Sequence, residues 1–175
     1  MCIRDSTNSE SLDFTHLLRS TVDAILIGKN TLIKDNPQLN IRLSQLSHID
    51  IYKYVLWGND HKDIEKYAKK HSEKLFLTSF DNKLPNVVNI NDLTFENLDL
   101  YMNNQNIKSL LVEGGNYVHK LFISSQIYEY FYKFVSENII IDGLSIDNHI
   151  IEYLMNDLNQ IKKIQLKDNS LHIYN

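Results

Sequence analysis

An apolar run that stops at a pair of glycines is the feature that most constrains how this chain can fold. Residues 110–115 read Leu-Leu-Val-Glu-Gly-Gly, and a helical pattern begins at Asn116. Glycines between a strand end and a helix N-terminus leave backbone N–H groups uncovered and let a phosphate approach closely. Such junctions also carry glycine for backbone reasons alone. The motif therefore predicts a strand–helix unit, and a ligand site there is a hypothesis that needs a second signal.

Apolar runs of strand length alternate with helical patterns along most of the chain. The continuous run at 22–28 is typical of a strand buried on both faces of a parallel sheet. Strands are predicted over residues 22–28, 51–57, 75–78, 87–90, 109–113, 130–136 and 139–141, and helices over 7–20, 29–34, 60–71, 92–103, 116–125 and 150–158. The last two runs, 163–166 and 171–174, predict a hairpin across the polar turn 167–170.

This order of elements predicts an α/β fold with a mostly parallel central sheet, helices on both faces and a C-terminal antiparallel hairpin. In such sheets ligands bind outside the carboxyl ends of the strands. The strands that end at Gly28 and at Glu113 both stop at a candidate motif. The sequence therefore predicts one crevice at that edge of the sheet.

The first helix carries a start signal. Thr7 and Glu10 have the Ser/Thr-x-x-Glu spacing of a capping box, so the helix is expected to begin there. Its three leucines, Leu12, Leu17 and Leu18, are expected to face the core.

Composition indicates one globular domain and excludes several function classes. The 175 residues are 43% hydrophobic and 23% charged, with a net charge of -4, which gives no reason to expect a nucleic-acid partner. No apolar run has the roughly 18–20 residues of a membrane span, and no apolar signal-peptide core begins the chain. The single Cys2 excludes an internal disulfide, and the dispersed histidines do not predict a metal site. A cytoplasmic location is expected.

A second motif occupies residues 16–42. Its fixed positions are His16, Leu18, Arg19, Asp23, Ala24, Ile25, Leu26, Gly28, Thr31, Asp35, Pro37, Leu39 and Arg42. Taken with Leu-Val-Glu-Gly-Gly at 111–115, this pattern resembles the reductase domain of riboflavin biosynthesis, the 5-amino-6-(5-phosphoribosylamino)uracil reductase family. The resemblance extends from about Thr7 to the C-terminus. It implies a dihydrofolate-reductase-like fold.

The resemblance also implies which residues contact the ligands. The substrate-binding positions are Arg19, Leu39, Arg42 and Glu113. The cofactor-binding positions are Thr31, Asp35, Gly58, Gly114, Gly115, Asn116, Tyr117, Val118, His119, Lys120 and Leu121. The implied chemistry is hydride transfer from NADPH to the ribose C1′, which opens the sugar to a ribityl chain. The cofactor supplies the hydride, so no catalytic side chain is assigned. A homodimer is also implied.

The residue types suit these roles, and each also has an ordinary explanation. Arg19 and Arg42 offer rigid forks of donors to a phosphorylated sugar, although a solvated helix end and a loop charge would look the same. Glu113 could accept from a pyrimidine or ribose, or it could be a helix N-terminal charge favoured by the dipole. Thr31 and Asp35 lie four residues apart, so one helix can present both side chains to one ligand. Alternatively, Thr31 only marks the start of a helix and Asp35 only forms the turn before Asn36-Pro37.

The chain departs from the family pattern in two places, at its start and at residues 127–130. Family members begin the reductase domain with a strand and a Ser/Thr-x-Asp-Gly segment, and nothing similar precedes Thr7. We therefore expect residues 7–175 to be an N-terminally truncated reductase domain without its first strand, and residues 1–6 to be non-native. The zinc-deaminase signature His-x-Glu with Pro-Cys-x-x-Cys is absent, so no deaminase domain is expected. Residues 127–130 replace a Leu-x-Asp-Glu-like sequence, which should affect packing or dimer contacts.

Two other functions stay open at this point. The chain could be another reductase of the same fold that acts on a related pyrimidine or pterin. It could instead be a catalytically silent fragment that serves as a binding or interaction module, which the missing first strand favours.

Overall fold

Two β-sheets with helices around them make up the residues that the computed structural model describes, which are 8–137, 150, 152, 156 and 158–175. The helices are α1 (Ser9–Ser20), α2 (Lys29–Asp35), α3 (Ile64–Lys70), α4 (Phe95–Asn104) and α5 (Asn116–Ser125). The strands are β1 (Ala24–Gly28), β2 (Tyr52–Gly58), β3 (Leu75–Thr78), β4 (Val87–Asn89), β5 (Leu110–Gly114), β6 (Phe131–Ser136), β7 (Gln160–Leu166) and β8 (Asn169–Tyr174).

The larger sheet is parallel throughout and has the strand order β4-β3-β2-β1-β5. Ala24 pairs with Tyr52 on one side and with Leu110 on the other, so β1 lies inside the sheet. All five residues of β1 are buried. Its unbroken apolar run is explained by helices that cover both faces, as the sequence predicted.

Alternate residues of β1 pack into two separate hydrophobic cores, because successive side chains point to opposite faces of a sheet. Ile25 and Ile27 belong to the core on the face covered by α2 and α3. Ala24 and Leu26 belong to the core that contains residues of α4 and α5. The predicted parallel sheet with helices on both faces is therefore confirmed.

The smaller sheet is antiparallel and has the strand order β6-β8-β7. The predicted C-terminal hairpin is confirmed, but its turn is shorter than predicted. Leu166 pairs with Asn169, so only Lys167 and Asp168 connect the strands. Lys167 has a φ of 53°, the left-handed conformation that a tight two-residue turn requires. The polar residues at 169 and 170 belong to β8 rather than to the turn.

The start of α1 differs from the predicted capping box. Asn8 is the N-cap, and its side-chain oxygen accepts the Ser11 N–H at 2.9 Å. Thr7, the predicted cap, lies outside the described residues. The Asn8 amide also donates to the Leu166 carbonyl at 2.5 Å, so the cap joins α1 to the end of β7. The long-range contact explains why Asn8 takes this position.

The buried face of α1 is polar, and the prediction that its leucines face the core was wrong for two of the three. Leu12 is 38% exposed and Leu17 is 45% exposed, whereas Leu18 is half-buried. The buried residues of the helix are Ser11, His16 and Arg19. The Ser11 hydroxyl accepts from Asn169 in the small sheet at 3.2 Å. Because α1 packs against polar groups, its leucines are not needed to fill a core.

Two other helices begin later than predicted. Asp63, with a φ of 61°, precedes α3, which starts at Ile64 rather than at residue 60. Thr94 caps α4 by accepting the Asn97 N–H at 3.3 Å, so this helix starts at Phe95 rather than at 92. The predicted strand at 139–141 lies outside the described residues. Within 150–158, residues 150, 152 and 156 have the predicted helical backbone.

A groove of about 750 Å³ separates the two sheets. Within the described residues, β5 pairs only with β1 and β6 pairs only with β8, so each presents one open edge. Side chains from both strands and from α1 line the groove, including Leu18, Leu110, Val112, Phe131 and Phe134. Two unpaired strand edges therefore border one largely apolar space.

The contrast between β1 and α1 gives a test of the fold. Leu26 is fully buried, so Leu26→Ala should leave a cavity and lower the free energy of unfolding by about 2–5 kcal/mol. The matched control is Leu17→Ala at an exposed site, which should change it by no more than about 0.5 kcal/mol. Urea unfolding measures both values. Equal losses would contradict the burial of β1 or the orientation of α1.

Candidate active site

A cleft of about 230 Å³ lies at the carboxyl ends of β1 and β5. Its walls come from α1, α2, the end of β5 and the loop that follows α2. The lining residues are Leu12, Thr15, His16, Arg19, Ile27, Thr31, Asp35, Pro37, Gln38, Leu39, Arg42 and Glu113. All four predicted substrate residues and two predicted cofactor residues are thus brought together in one space.

Arg19 and Glu113 form a buried ion pair in the wall of this cleft. Arg19 Nε donates to Glu113 Oε1 at 2.6 Å, and Nη2 donates to Oε2 at 2.7 Å. Their side chains are only 10% and 9% exposed. The planar guanidinium matches the two carboxylate oxygens, which makes this bidentate geometry strong and directional. Both predicted substrate residues are therefore engaged with each other, and neither is a free charge.

The loop 36–42 follows α2 and carries two of the predicted substrate residues. Asn36 and Leu39 have φ values of 44° and 56°, a conformation that is uncommon for residues other than glycine. Leu39 is nevertheless buried. Arg19 Nη1 donates to the Asn40 carbonyl at 2.9 Å, and Lys53 Nζ donates to the Asn40 side chain at 2.6 Å. Packing and these bonds hold the loop in a strained conformation.

Arg42 is the exposed cation of the cleft. Its guanidinium has no hydrogen-bond or ion-pair partner among residues 8–137 and 158–175, whereas each of the three guanidinium nitrogens of Arg19 donates a hydrogen bond. Its backbone N–H donates to His16 Nδ1 at 3.4 Å. The cleft therefore offers one guanidinium for binding an anion.

His16 lines the cleft, although it was not among the predicted site residues. Burial and the nearby charges of Arg19 and Arg42 hold the pKa of His16 below its ordinary value, which favours the neutral ring. The signal that could have found it was its spacing. His16 lies three residues before Arg19, so a helix places both on one face.

The glycine turn packs against the start of α2. Gly115 has a φ of 93° and is the N-cap of α5. A Cβ on Gly115 would lie 3.4 Å from Thr31 Oγ1 and 3.7 Å from the Cα of Gly28. The backbone conformation and this close approach account for the glycine on structural grounds. They also bring Thr31 to the N-terminus of α5, as the predicted cofactor site requires.

The other predicted cofactor residues are distributed around α5 and β2. Val118 is buried and Leu121 packs against the same core, so their side chains face the protein interior. Tyr117 is exposed, as are Asn116 and Lys120. The side chain of His119 lines the groove between the two sheets and is not among the residues that line the cleft, and burial lowers its pKa. Gly58 ends β2 with a φ of 89° and has open space around it.

A cluster that the sequence did not predict lies beside Gly58. The Lys29 ammonium bonds to the Asp60 carboxylate and lies 4.9 Å from the centroid of the Trp57 ring. Trp57 Nε1 donates to the Asp60 carbonyl at 2.7 Å. The hydrogen bond from Lys29 lowers the pKa of Asp60. These contacts join the carboxyl ends of β1 and β2 next to the cleft.

Over residues 8–137, 150, 152, 156 and 158–175, no three His, Cys, Asp or Glu side chains are grouped so that they could hold a metal ion. In the same residues no helix combines the length and apolar character that crossing a bilayer requires.

The parallel sheet, the small antiparallel sheet and the cleft at the strand ends define an α/β domain of the dihydrofolate-reductase-like class. Residues 4–135 match the family model described as the RibD C-terminal domain, and the chain belongs to this family. The family resemblance and the fold predicted from the sequence are both confirmed.

The chain is also similar to a curated relative and to solved structures of the same fold. The chain is 27% identical over 169 residues to the riboflavin biosynthesis protein RibD of Aquifex aeolicus, an alignment of 90% of this chain and 47% of the relative. The chain thus spans about half the length of that relative. A deaminase/5-amino-6-(5-phosphoribosylamino)uracil reductase of Thermotoga maritima has a similar fold, with a TM-score of 0.74 at 22% identity over 92% of this chain and 47% of that one. The riboflavin biosynthesis reductase Rib7 of Saccharomyces cerevisiae has a TM-score of 0.65 at 18% identity, over 97% and 81%.

The Arg19–Glu113 pair gives a test of the cleft architecture. Arg19→Leu leaves the Glu113 carboxylate buried without its partner, so the free energy of unfolding should fall by about 3–5 kcal/mol. The matched control is Lys69→Ala, which breaks the exposed Lys69–Glu65 pair and should cost less than about 0.5 kcal/mol. Chemical unfolding of both variants decides the point. A loss in Arg19→Leu as small as in the control would show that the pair is solvated.

Proposed function

We propose that this chain is the reductase part of a riboflavin-biosynthesis enzyme. It reduces 5-amino-6-(5-phosphoribosylamino)uracil to the ribitylamino product with NADPH, and it acts in the cytoplasm as a homodimer. The observation that carries this proposal is the single cleft lined by Arg19, Leu39, Arg42 and Glu113 together with Thr31 and Asp35. Family membership supports a reductase, and the chemistry of the cleft supports a phosphorylated sugar.

Arg42 is assigned to the substrate's phosphate. Arg42 is exposed where it lines the cleft, and its guanidinium has no hydrogen-bond or ion-pair partner in the described part of the chain. The Arg19 guanidinium, in contrast, donates to Glu113 and Asn40. A guanidinium binds phosphate oxygens through a rigid fork of donors. The substrate phosphate is therefore expected at the Arg42 end of the cleft.

Glu113 and Arg19 are assigned to the part of the substrate that enters deeper. The paired Glu113 oxygens each have a second lone-pair direction, which can accept from an amino or hydroxyl donor of a pyrimidine or ribose. Because Arg19 holds the carboxylate at 2.6 and 2.7 Å, this acceptor is fixed before the substrate arrives. Such preorganisation orients the ribose C1′ for reaction.

The residues at the glycine turn fit a dinucleotide. Gly115, which its positive φ favours, has no side chain and so leaves the N-terminus of α5 open, and Thr31 Oγ1 lies beside it. Bound there, NADPH would supply the hydride that reduces the ribose C1′. Thr31 and the first N–H groups of α5 would hold its phosphates, and Asp35, one turn further along α2, would face the same ligand.

Two other functions are each supported by a feature of the structure. A related pyrimidine or pterin could enter the same cleft, since Glu113 would accept from any of these rings. A catalytically silent binding module is favoured by the groove between β5 and β6, where two strand edges lack partners in the described residues.

Replacing Arg42 tests the assignment of the substrate end. A hydrogen bond to a charged group contributes about 1.5–3 kcal/mol, so Arg42→Ala should weaken binding of ribose 5-phosphate roughly tenfold to a hundredfold. Fluorescence titration should show an unchanged affinity for NADPH, which should exceed that for NADH. The matched control is Lys34→Ala, an exposed cation on α2 that does not line the cleft. Loss of NADPH binding with intact phosphate binding would reverse the two assignments.

The groove leads to a second expectation about activity. We propose that it holds a further strand, because an extended segment there would pair with both open edges and join the two sheets. Residues 1–175 alone should then reduce the pyrimidine substrate slowly or not at all, since without that strand α1 and β5, which line the cleft, would lose one of their supports. The comparison is NADPH oxidation by this chain and by one extended with the native sequence upstream of Thr7. Equal rates would contradict a missing strand.

A further inference from the structure

His16 and Arg19 form the polar buried face of α1 at the cleft. They lie one turn apart on the helix, and each is only 8% exposed. Arg19 is tied to Glu113 and to the Asn40 carbonyl. His16 has a different contact: its Nδ1 accepts the backbone N–H of Arg42. The helix therefore holds the loop 36–42 at two separate points.

The contact between His16 and the Arg42 backbone restrains the residue that carries the exposed guanidinium. Asn40 is restrained by Arg19 and by Lys53, and Leu39 is restrained by burial. Arg42 itself is restrained by the hydrogen bond that its backbone N–H donates to His16. It is long, at 3.4 Å, so it is a modest restraint. It nevertheless acts directly on the residue that presents the cation.

The acceptor role fixes the state of the imidazole ring. A ring nitrogen that accepts must carry its lone pair, so the proton of the neutral ring is on Nε2. The charged groups that face the ring are Arg19 on α1, Arg42 on the loop and Glu113 on β5. Burial, with the Arg19 and Arg42 guanidinium groups, lowers the pKa of His16 by more than the Asn40 backbone and the Glu113 carboxylate raise it, which favours the neutral ring that can accept.

We propose that His16 is a positioning residue that fixes the Arg42 backbone and thereby aims the Arg42 guanidinium at the substrate phosphate. This inference rests on the proposed function of the cleft. The bond opposes relaxation of a loop whose Leu39 is held at a positive φ. A loop freed at Arg42 would sample conformations that point the guanidinium away from the cleft, and binding would then have to select the competent one.

Two substitutions separate the hydrogen bond from the volume of the ring. In His16→Asn the amide oxygen can take the place of Nδ1, whereas His16→Leu keeps apolar bulk and removes the acceptor. The first readout is hydrogen exchange at the Arg42 amide, followed by NMR. Exchange should be roughly tenfold faster in His16→Leu and close to wild type in His16→Asn. If His16→Leu does not fold, His16→Gln replaces it, because its longer amide reaches toward the Nε2 position. Unchanged Arg42 exchange in the variant without the acceptor overturns the proposal.

The second readout is binding of ribose 5-phosphate, with NADPH as the internal control. His16→Leu should weaken ribose 5-phosphate binding about threefold to tenfold, the size expected for one neutral hydrogen bond, and His16→Asn should restore it. NADPH affinity should be equal in all three proteins. Equal ribose 5-phosphate affinity in the wild type and in His16→Leu overturns the proposed role of His16 and leaves the phosphate site at Arg42 standing. A wild-type protein that does not bind ribose 5-phosphate overturns the phosphate site of the proposed function, and the role of His16 there with it, whatever the Arg42 exchange shows.

Discussion

The buried ion pair between Arg19 and Glu113 is the interaction on which the cleft depends. It joins α1 to the end of β5 across 94 positions of sequence, and a third Arg19 donor, Nη1, extends the connection to Asn40. Removing both charges from water is costly, so the pair is maintained by its bidentate geometry and by the extra bond. One guanidinium thus sets the relative positions of three walls. The strained loop 36–42 can keep its conformation because this frame supports it.

Much of this arrangement could be predicted from the sequence, because parallel strands impose strong patterns. The apolar run of β1 is unbroken since both of its faces are covered, and that signal fixed the centre of the sheet. Neighbouring parallel strands also end at one edge. Residues that follow β1 and residues at the end of β5 were therefore expected to lie close together. Thr31, Asp35 and Glu113 do line one cleft.

The remaining features depend on contacts between distant parts of the chain, which periodicity does not report. Hydrophobic spacing assumes that the face a helix buries is apolar, and it misplaced Leu12 and Leu17 because α1 packs against a polar cleft. The N-cap at Asn8 depends on a bond to β7. The acceptor role of His16 depends on the path of a loop 26 residues further along the chain.

The edges of β5 and β6 that have no partner strand in the described part of the chain have a consequence for how the protein behaves in a concentrated solution. An apolar strand edge with free N–H and C=O groups is a template for pairing with another molecule. Leu110, Leu111 and Val112 make most of the β5 edge apolar, and the charge of Glu113 near its end is paired with Arg19. We expect self-association through strand addition to increase steeply with protein concentration and to compete with any symmetric contact. Handling at low concentration would then limit this addition of strands between molecules.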